Sequence, residues 1–142
     1  MRELRPGVWH WEASHPAWKP GEDWGPTVSS YAIDDGERLL LLDPLAPPSL
    51  VDEVAASREP VVVLTSPWHR RDAESLMERL GATVYVPPPD EGDSERAAER
   101  IFRVGDKLPV GVEAFPGMEP NDLVLWIESK HALVLGDTLV DR

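Results

Sequence analysis

The chain has 142 residues, a length that fits one domain or part of one. Its 14 basic and 26 acidic residues leave a formal net charge of −12, which excludes a reader of nucleic-acid phosphates and disfavours an anionic membrane surface, since both would repel it. Without cysteine it has no disulfides and no thiolate metal sites, and no apolar run approaches the roughly 20 residues of a spanning helix.

The N-terminal MRELRPGVWHW lacks the apolar stretch of a secretion signal, so the expected location is cytoplasmic. In VWHWE, Trp9 and Trp11 alternate with Val8, His10 and Glu12, which predicts a short strand with both indoles on one face. Pro16, Pro20 and Pro26 then break the chain into a loop that carries Trp18 and Trp24. Residues 1–26 therefore read as a Trp- and Pro-rich strand and loop, and 27–142 as the main domain.

A hairpin follows: Thr27–Ile33 and Arg38–Asp43 are strand-like, and Asp34-Asp35-Gly36 supplies the turn. Leu39 to Leu42 is apolar at every position, which predicts a strand covered on both faces. Ser49 is placed to cap a short helix with Leu50, Val51 and Val54 on its buried face. A second fully apolar strand, Val61 to Leu64, runs into the polar loop TSPWHRRD. A helix starts near Asp72, with Ala73, Leu76, Met77 and Leu80 at helical spacing and Gly81 as its stop. Thr83–Val86 predicts a strand, and Ser94–Ile101 a helix with a solvated charged face. Val110–Phe115, Leu123–Glu128 and Ala132–Leu135 predict a closing run of strands. The fold class is α/β, a mixed sheet with helices packed on it.

Ligands of open α/β sheets gather on the loops at the carboxyl ends of strands. Three apolar strands here end in polar residues: Asp43 after LLLL, Thr65 to Asp72 after VVVL, and Gly136-Asp137-Thr138 after ALVL. If those strands are neighbours, Asp43, His69, Asp72 and Asp137 converge, and an imidazole with carboxylates is a metal-binding set.

The order of these segments resembles the metallo-β-lactamase-fold superfamily. The resemblance rests on YAIDDGERLLLLDPL as the opening hairpin and on VVVLTSPWHRRDAESL as the segment that carries the family's HxHxDH motif. It rests also on AFPGMEPNDLVLWIESKHALVLGDTLVD, similar to a PGHTPGS turn, a hairpin and a Gly-Asp pair. It implies an αββα sandwich of which this chain supplies the N-terminal portion, and a metal centre of zinc or another divalent ion. It also implies that Asp137 stands where the family's bridging aspartate does.

The motif residues themselves depart from the family. Aligned without a gap, the HxHxDH positions hold Ser66, Trp68, Arg70 and Arg71; slid by one, they hold Pro67, His69, Arg71 and Asp72. Met118 replaces the histidine of the turn. A zinc site takes three or four N, S or O ligands, so a dinuclear hydrolase is disfavoured and no cofactor is the primary expectation.

Three readings follow. The first is a degenerate site that binds a small anionic ligand through Trp68, Arg70 and Arg71. In the second, a divergent hydrolase holds one metal with His69, Asp72 and Asp137. The third is an inactive truncated member. An incomplete sandwich also leaves an apolar sheet face that a second copy of the chain would cover. Each residue has a plainer use: Asp72 as a helix cap, Asp137 as a loop brace, the tryptophans as packing anchors. His10, His15 and His131 are assigned no role.

Overall fold

The computed structural model describes residues 1–90 and 96–138. Strands β1 (Arg2–Arg5), β2 (Val8–Ser14), β3 (Thr27–Asp34), β4 (Arg38–Leu42), β5 (Glu59–Val63), β6 (Thr83–Val86) and β7 (Arg100–Ile101) form one seven-stranded sheet in chain order. Neighbours are antiparallel from β1 to β4 and parallel from β4 to β7. The change follows from the connections: tight turns after β1 and β3 and the loop 15–26 after β2 reverse the chain early. Helices α1 (Ser49–Ala55) and α2 (Ala73–Leu80) then carry it back from β4 to β5 and from β5 to β6. A second sheet of four antiparallel strands, β8 (Lys107–Leu108), β9 (Val112–Pro116), β10 (Leu123–Ile127) and β11 (Ala132–Val134), has the order β11-β10-β9-β8.

The two-sided apolar run of β4 explains the layering. Leu40 and Leu42 face the second sheet, among Val61, Val63, Val112, Leu125 and Ile127. Leu39 and Leu41 face the helices, among Val51, Val62, Leu64, Leu76 and Val84. Each of the four leucines is at most 1% exposed, and burying each contributes about 1.5–3 kcal/mol. The result is helices on a mixed sheet on a second sheet, three layers of the four that the resemblance implies. Trp9 and Trp11 share the helix-side face as expected, and Trp11 Nε1 donates to Leu45 O at 2.8 Å.

Local expectations fare unevenly. α2 starts after Asp72 and ends at Gly81, whose φ of 68° suits glycine. α1 starts after Pro48 with no side-chain cap, so Ser49 does not cap it, and Leu50 is exposed where a buried face was expected. The helix expected over Ser94–Ile101 is corrected: residues 96–99 are turn and coil, and Arg100–Ile101 pairs with β6. Residues 94 and 95 lie outside the described residues. Sheet pairing prevails there: Phe102 N donates to Val86 O at 3.1 Å, and the Phe102 side chain is buried. Nor is that segment's charge wholly solvated, since the Glu99 side chain is only 3% exposed. No helix among the described residues is long and apolar enough to cross a membrane.

Candidate functional site

Because β4 and β5 are parallel neighbours, their carboxyl ends lie side by side and deliver Asp43 next to Thr65. Asp43 is 7% exposed and has left-handed backbone at φ 43°, which turns its carboxylate back over the strand ends. Its Oδ1 accepts from Thr65 N at 2.8 Å and its Oδ2 from Thr65 Oγ1 at 2.5 Å. Ser30 Oγ donates to Asp43 O at 2.8 Å from β3.

The loop 65–72 then places His69 above this pair. His69 Nδ1 lies 3.0 Å from Thr65 Oγ1 and 3.2 Å from Asp43 Oδ2, and its Nε2 lies 3.3 Å from Asp137 Oδ1. Each ring nitrogen thus faces a carboxylate, on opposite sides of the imidazole. Burial works against the charged ring, but the contacts with Asp137 and Asp43 outweigh it and raise its pKa to about 9. The contact with His69 pulls Asp137 down to about 2 against partial burial, helped by Trp68 and Arg71.

Asp137 is brought in from the second sheet. Its Oδ2 accepts from Trp68 Nε1 at 3.0 Å, and its backbone N donates to Asp122 Oδ1 at 3.4 Å. Asp122 is fully buried just before β10, and burial raises its pKa although Thr138 Oγ1 donates to its Oδ2 at 2.7 Å. Leu123 N donates to Thr65 O at 2.7 Å, a direct tie between the sheets. Gly117 and Gly136 make room for these contacts. A Cβ on Gly117 would lie 2.1 Å from Asp122 O, and one on Gly136 would lie 2.8 Å from Thr65 Oγ1.

The other residues singled out in the sequence separate. Asp72 Oδ2 accepts from Ala46 N at 2.6 Å, a loop brace directed away from His69's partners. Arg70 is paired with Glu99. Arg71 Nη1 donates to Ser29 O at 2.8 Å and to Asp43 O, while its buried Nε has no partner. Burial lowers the pKa of Arg71, with Asp43 and Asp137 opposing. Trp68 is 44% exposed and Met118 is 75% exposed. Ser66 Oγ is buried and unpartnered. Arg71, His69, Asp43 and Asp137 lie at one end of a cleft of about 700 Å³ between the sheets. Among the described residues no three His, Cys, Asp or Glu side chains are grouped so as to hold a metal ion.

Sequence reasoning missed Asp122 and Thr65, which bind the two loops together. In an acidic chain nothing marks one aspartate before a strand as buried. It also assigned His15 no role, yet burial and the nearby charges of Arg71 and His69 lower that ring's pKa.

This arrangement superposes on a metallo-beta-lactamase family protein from Thermus thermophilus, TTHA1429, with a TM-score of 0.66 at 16% identity, over 99% of this chain and 62% of that one. The chain has the metallo-β-lactamase fold. TTHA1623, solved in a di-iron-bound form, shares this fold at TM-score 0.59 and 23% identity, over 80% of this chain and 68% of that one. ETHE1 from Myxococcus xanthus matches at TM-score 0.52 and 24% identity, over 68% and 47%. The chain therefore spans less than two thirds of the length of TTHA1429 and of ETHE1. No family model and no curated protein matches its sequence.

Proposed function

We propose that this metallo-β-lactamase-fold chain has a degenerate metal site and binds a small anionic ligand in place of dinuclear hydrolysis. The observation that carries this reading is the seating of His69 between Asp43 and Asp137. A metal-binding imidazole must offer a lone pair, whereas here each ring nitrogen already faces a carboxylate oxygen, Nδ1 at 3.2 Å from Asp43 Oδ2 and Nε2 at 3.3 Å from Asp137 Oδ1. Arg71 adds a positive charge beside it, and Asp72 is spent on the Ala46 amide. The donor set therefore does not fit two divalent ions. Arg70 drops out as a ligand contact because Glu99 neutralises it, which leaves Arg71 as the cation for an anion.

The test is thermal unfolding with chelator, then with zinc, manganese and ferrous iron, the last because TTHA1623 was solved with two irons. A metal at a hundredfold excess over its Kd would add about 2.7 kcal/mol, which raises the midpoint by roughly 8 °C at about 3 °C per kcal/mol. The expected result is a cooperative transition that ignores all three metals. One favours the second reading, a one-metal hydrolase on His69 and Asp137, if it raises the midpoint in wild type and not in Asp137→Ala. A chain with no cooperative transition is an inactive fragment, and the proposal fails.

A further inference from the structure

The two sheets differ in what covers them. The first is packed on both faces, by the helices on one side and by the second sheet on the other. Among the described residues the second sheet is covered on one face only. Val112, Leu125 and Ile127 point inward and are buried in the core. By strand alternation Glu113, Phe115, Val124, Trp126 and Leu133 point outward, with Lys107 at the β8 edge.

An antiparallel sheet face left to water carries polar residues at its outward positions. Here four of the six are apolar, and the register sets them side by side. Trp126 lies between Glu113 and Leu133, and Phe115 lies opposite Val124. Phe115 is 42% exposed and Leu133 55%. Beyond the end of β9, Val104 and Met118 stand exposed around a groove lined by Pro116. Contiguous exposed apolar surface of this kind marks an interaction site.

Charge decides what can lie there. At a net charge of −12, two copies of the chain repel each other over most of their surface. The outward residues of these four strands include only two charges, Lys107 and Glu113, register partners of opposite sign, so the face itself is neutral. A basic partner would be drawn to the acidic remainder of the molecule instead. A second copy meets the least repulsion here and offers the same apolar sheet, and two sheets stack about 10 Å apart with their side chains interdigitated. Each chain has one such face, so a two-fold contact closes and leaves neither copy's face exposed. Four strands about 4.8 Å apart, with about five residues at about 3.4 Å each, span roughly 300 Å² in projection. That falls short of the about 800 Å² per partner of a standard stable interface, so the contact is weak.

We propose that the chain forms a weak two-fold dimer through the outer face of the second sheet, with Phe115, Trp126 and Leu133 of each copy packed on the other. This pairing is independent of what the strand-end site binds.

The experiment is sedimentation velocity of the full chain from about 5 to about 500 µM, the range in which so small an interface assembles, at low and at high salt. A shift from one chain to two is expected within that range, and at lower concentration once salt screens the shared negative charge. Leu133→Glu and Phe115→Glu, both at exposed positions, should each weaken the dimer by about tenfold or more, since like charges then face each other across the two-fold. Cooperative thermal unfolding should be kept in both, and either is decisive where the other fails to fold. Leu50→Glu, at an exposed apolar position of α1 in the opposite layer, should leave the dimer unchanged. A single chain at every concentration overturns the proposal. A dimer that survives both face variants, or one lost in Leu50→Glu, puts the contact elsewhere and overturns it too. Dissociation by salt would mean that charge rather than the apolar face holds the copies together, and assembly beyond two copies would overturn the two-fold closure.

Discussion

Two loop clusters meet at Thr65, and they are built on different terms. The cluster from the second sheet, Gly117, Asp122, Gly136 and Thr138, is set by close packing on its glycines: Asp122 O approaches Gly117, and the Thr65 and Asp122 side chains approach Gly136, too closely to admit a Cβ. It carries Gly117 of the PG turn and Gly136, which precedes Asp137 in the Gly-Asp pair that the family resemblance rests on. The cluster after β5 is set by side chains, and there the residues at the ligand positions have other partners. Trp68 holds Asp137, Arg70 holds Glu99, Arg71 holds two carbonyls and Ser66 is buried. Where packing dictates the residue, alternatives clash; where only chemistry does, the same backbone carries different chemistry.

The most direct way to break this contrast is Gly117→Ala. Its Cβ would fall 2.1 Å from Asp122 O and 2.6 Å from Thr138 Oγ1, so the loop must shift and with it the brace on Asp137. A loss of about 4 kcal/mol is expected, the range kept for breaking a buried network, read as a urea midpoint with unchanged slope. Trp68→Phe, on the other side, should cost under about 1 kcal/mol, since it removes one hydrogen bond at an exposed indole. Equal losses would end the distinction between a cluster set by packing on glycines and one set by side chains.

The same distinction governs what the sequence disclosed. The layers were legible, because Leu39 to Leu42 and Val61 to Leu64 can only be covered on both faces, and Gly81 can only end a helix. The short edge strand β7 was not, since two residues carry no periodicity and their pairing depends on where β6 lies. In the site, Asp43, His69 and Asp137 were legible as strand-end polar residues, and the structure does bring them together. Asp72 was equally eligible on that criterion; only the three-dimensional path of the loop 43–46 shows its carboxylate spent on Ala46 N. Arg70 and Arg71, adjacent in sequence, have different surroundings that adjacency conceals.

The two ends of the His69 clamp sharpen the comparison at a smaller scale. Asp43 belongs to the first sheet and its side chain is 10% exposed, whereas Asp137 comes from the second and is 48% exposed. Asp43→Asn removes a charge that buried donors depend on, and about 2 kcal/mol of stability should go with it. Asp137→Asn should cost less than about 1 kcal/mol, because solvent screens the pair. Chemical unfolding of both variants at pH 6 reads the difference directly, and the order reverses if the brace from Asp122 rather than the strand-end position sets the strength of the clamp.

The dependence on pH isolates a single group, and its sign separates the titrating side chains. His69 is raised from 6.5 to about 9, so its contribution is complete below about pH 6.5 and is lost as pH rises through 9. Asp137 is lowered from 3.8 to about 2, so its contribution is present above 3.8 and is lost as pH falls through 2. The acid side is mixed: Asp122, raised by burial, loses its contribution as pH climbs past 3.8, and His15, lowered by burial, contributes only above its depressed value. The alkaline side belongs to His69. Between pH 6.5 and 9 the unfolding midpoint of the wild type should therefore fall, whereas that of His69→Gln, lower throughout, should stay nearly level. Any loss from added negative charge on a chain already at −12 is common to both proteins. The difference between the two curves thus isolates the clamp, and parallel curves would mean that His69 is not held as a cation between the sheets.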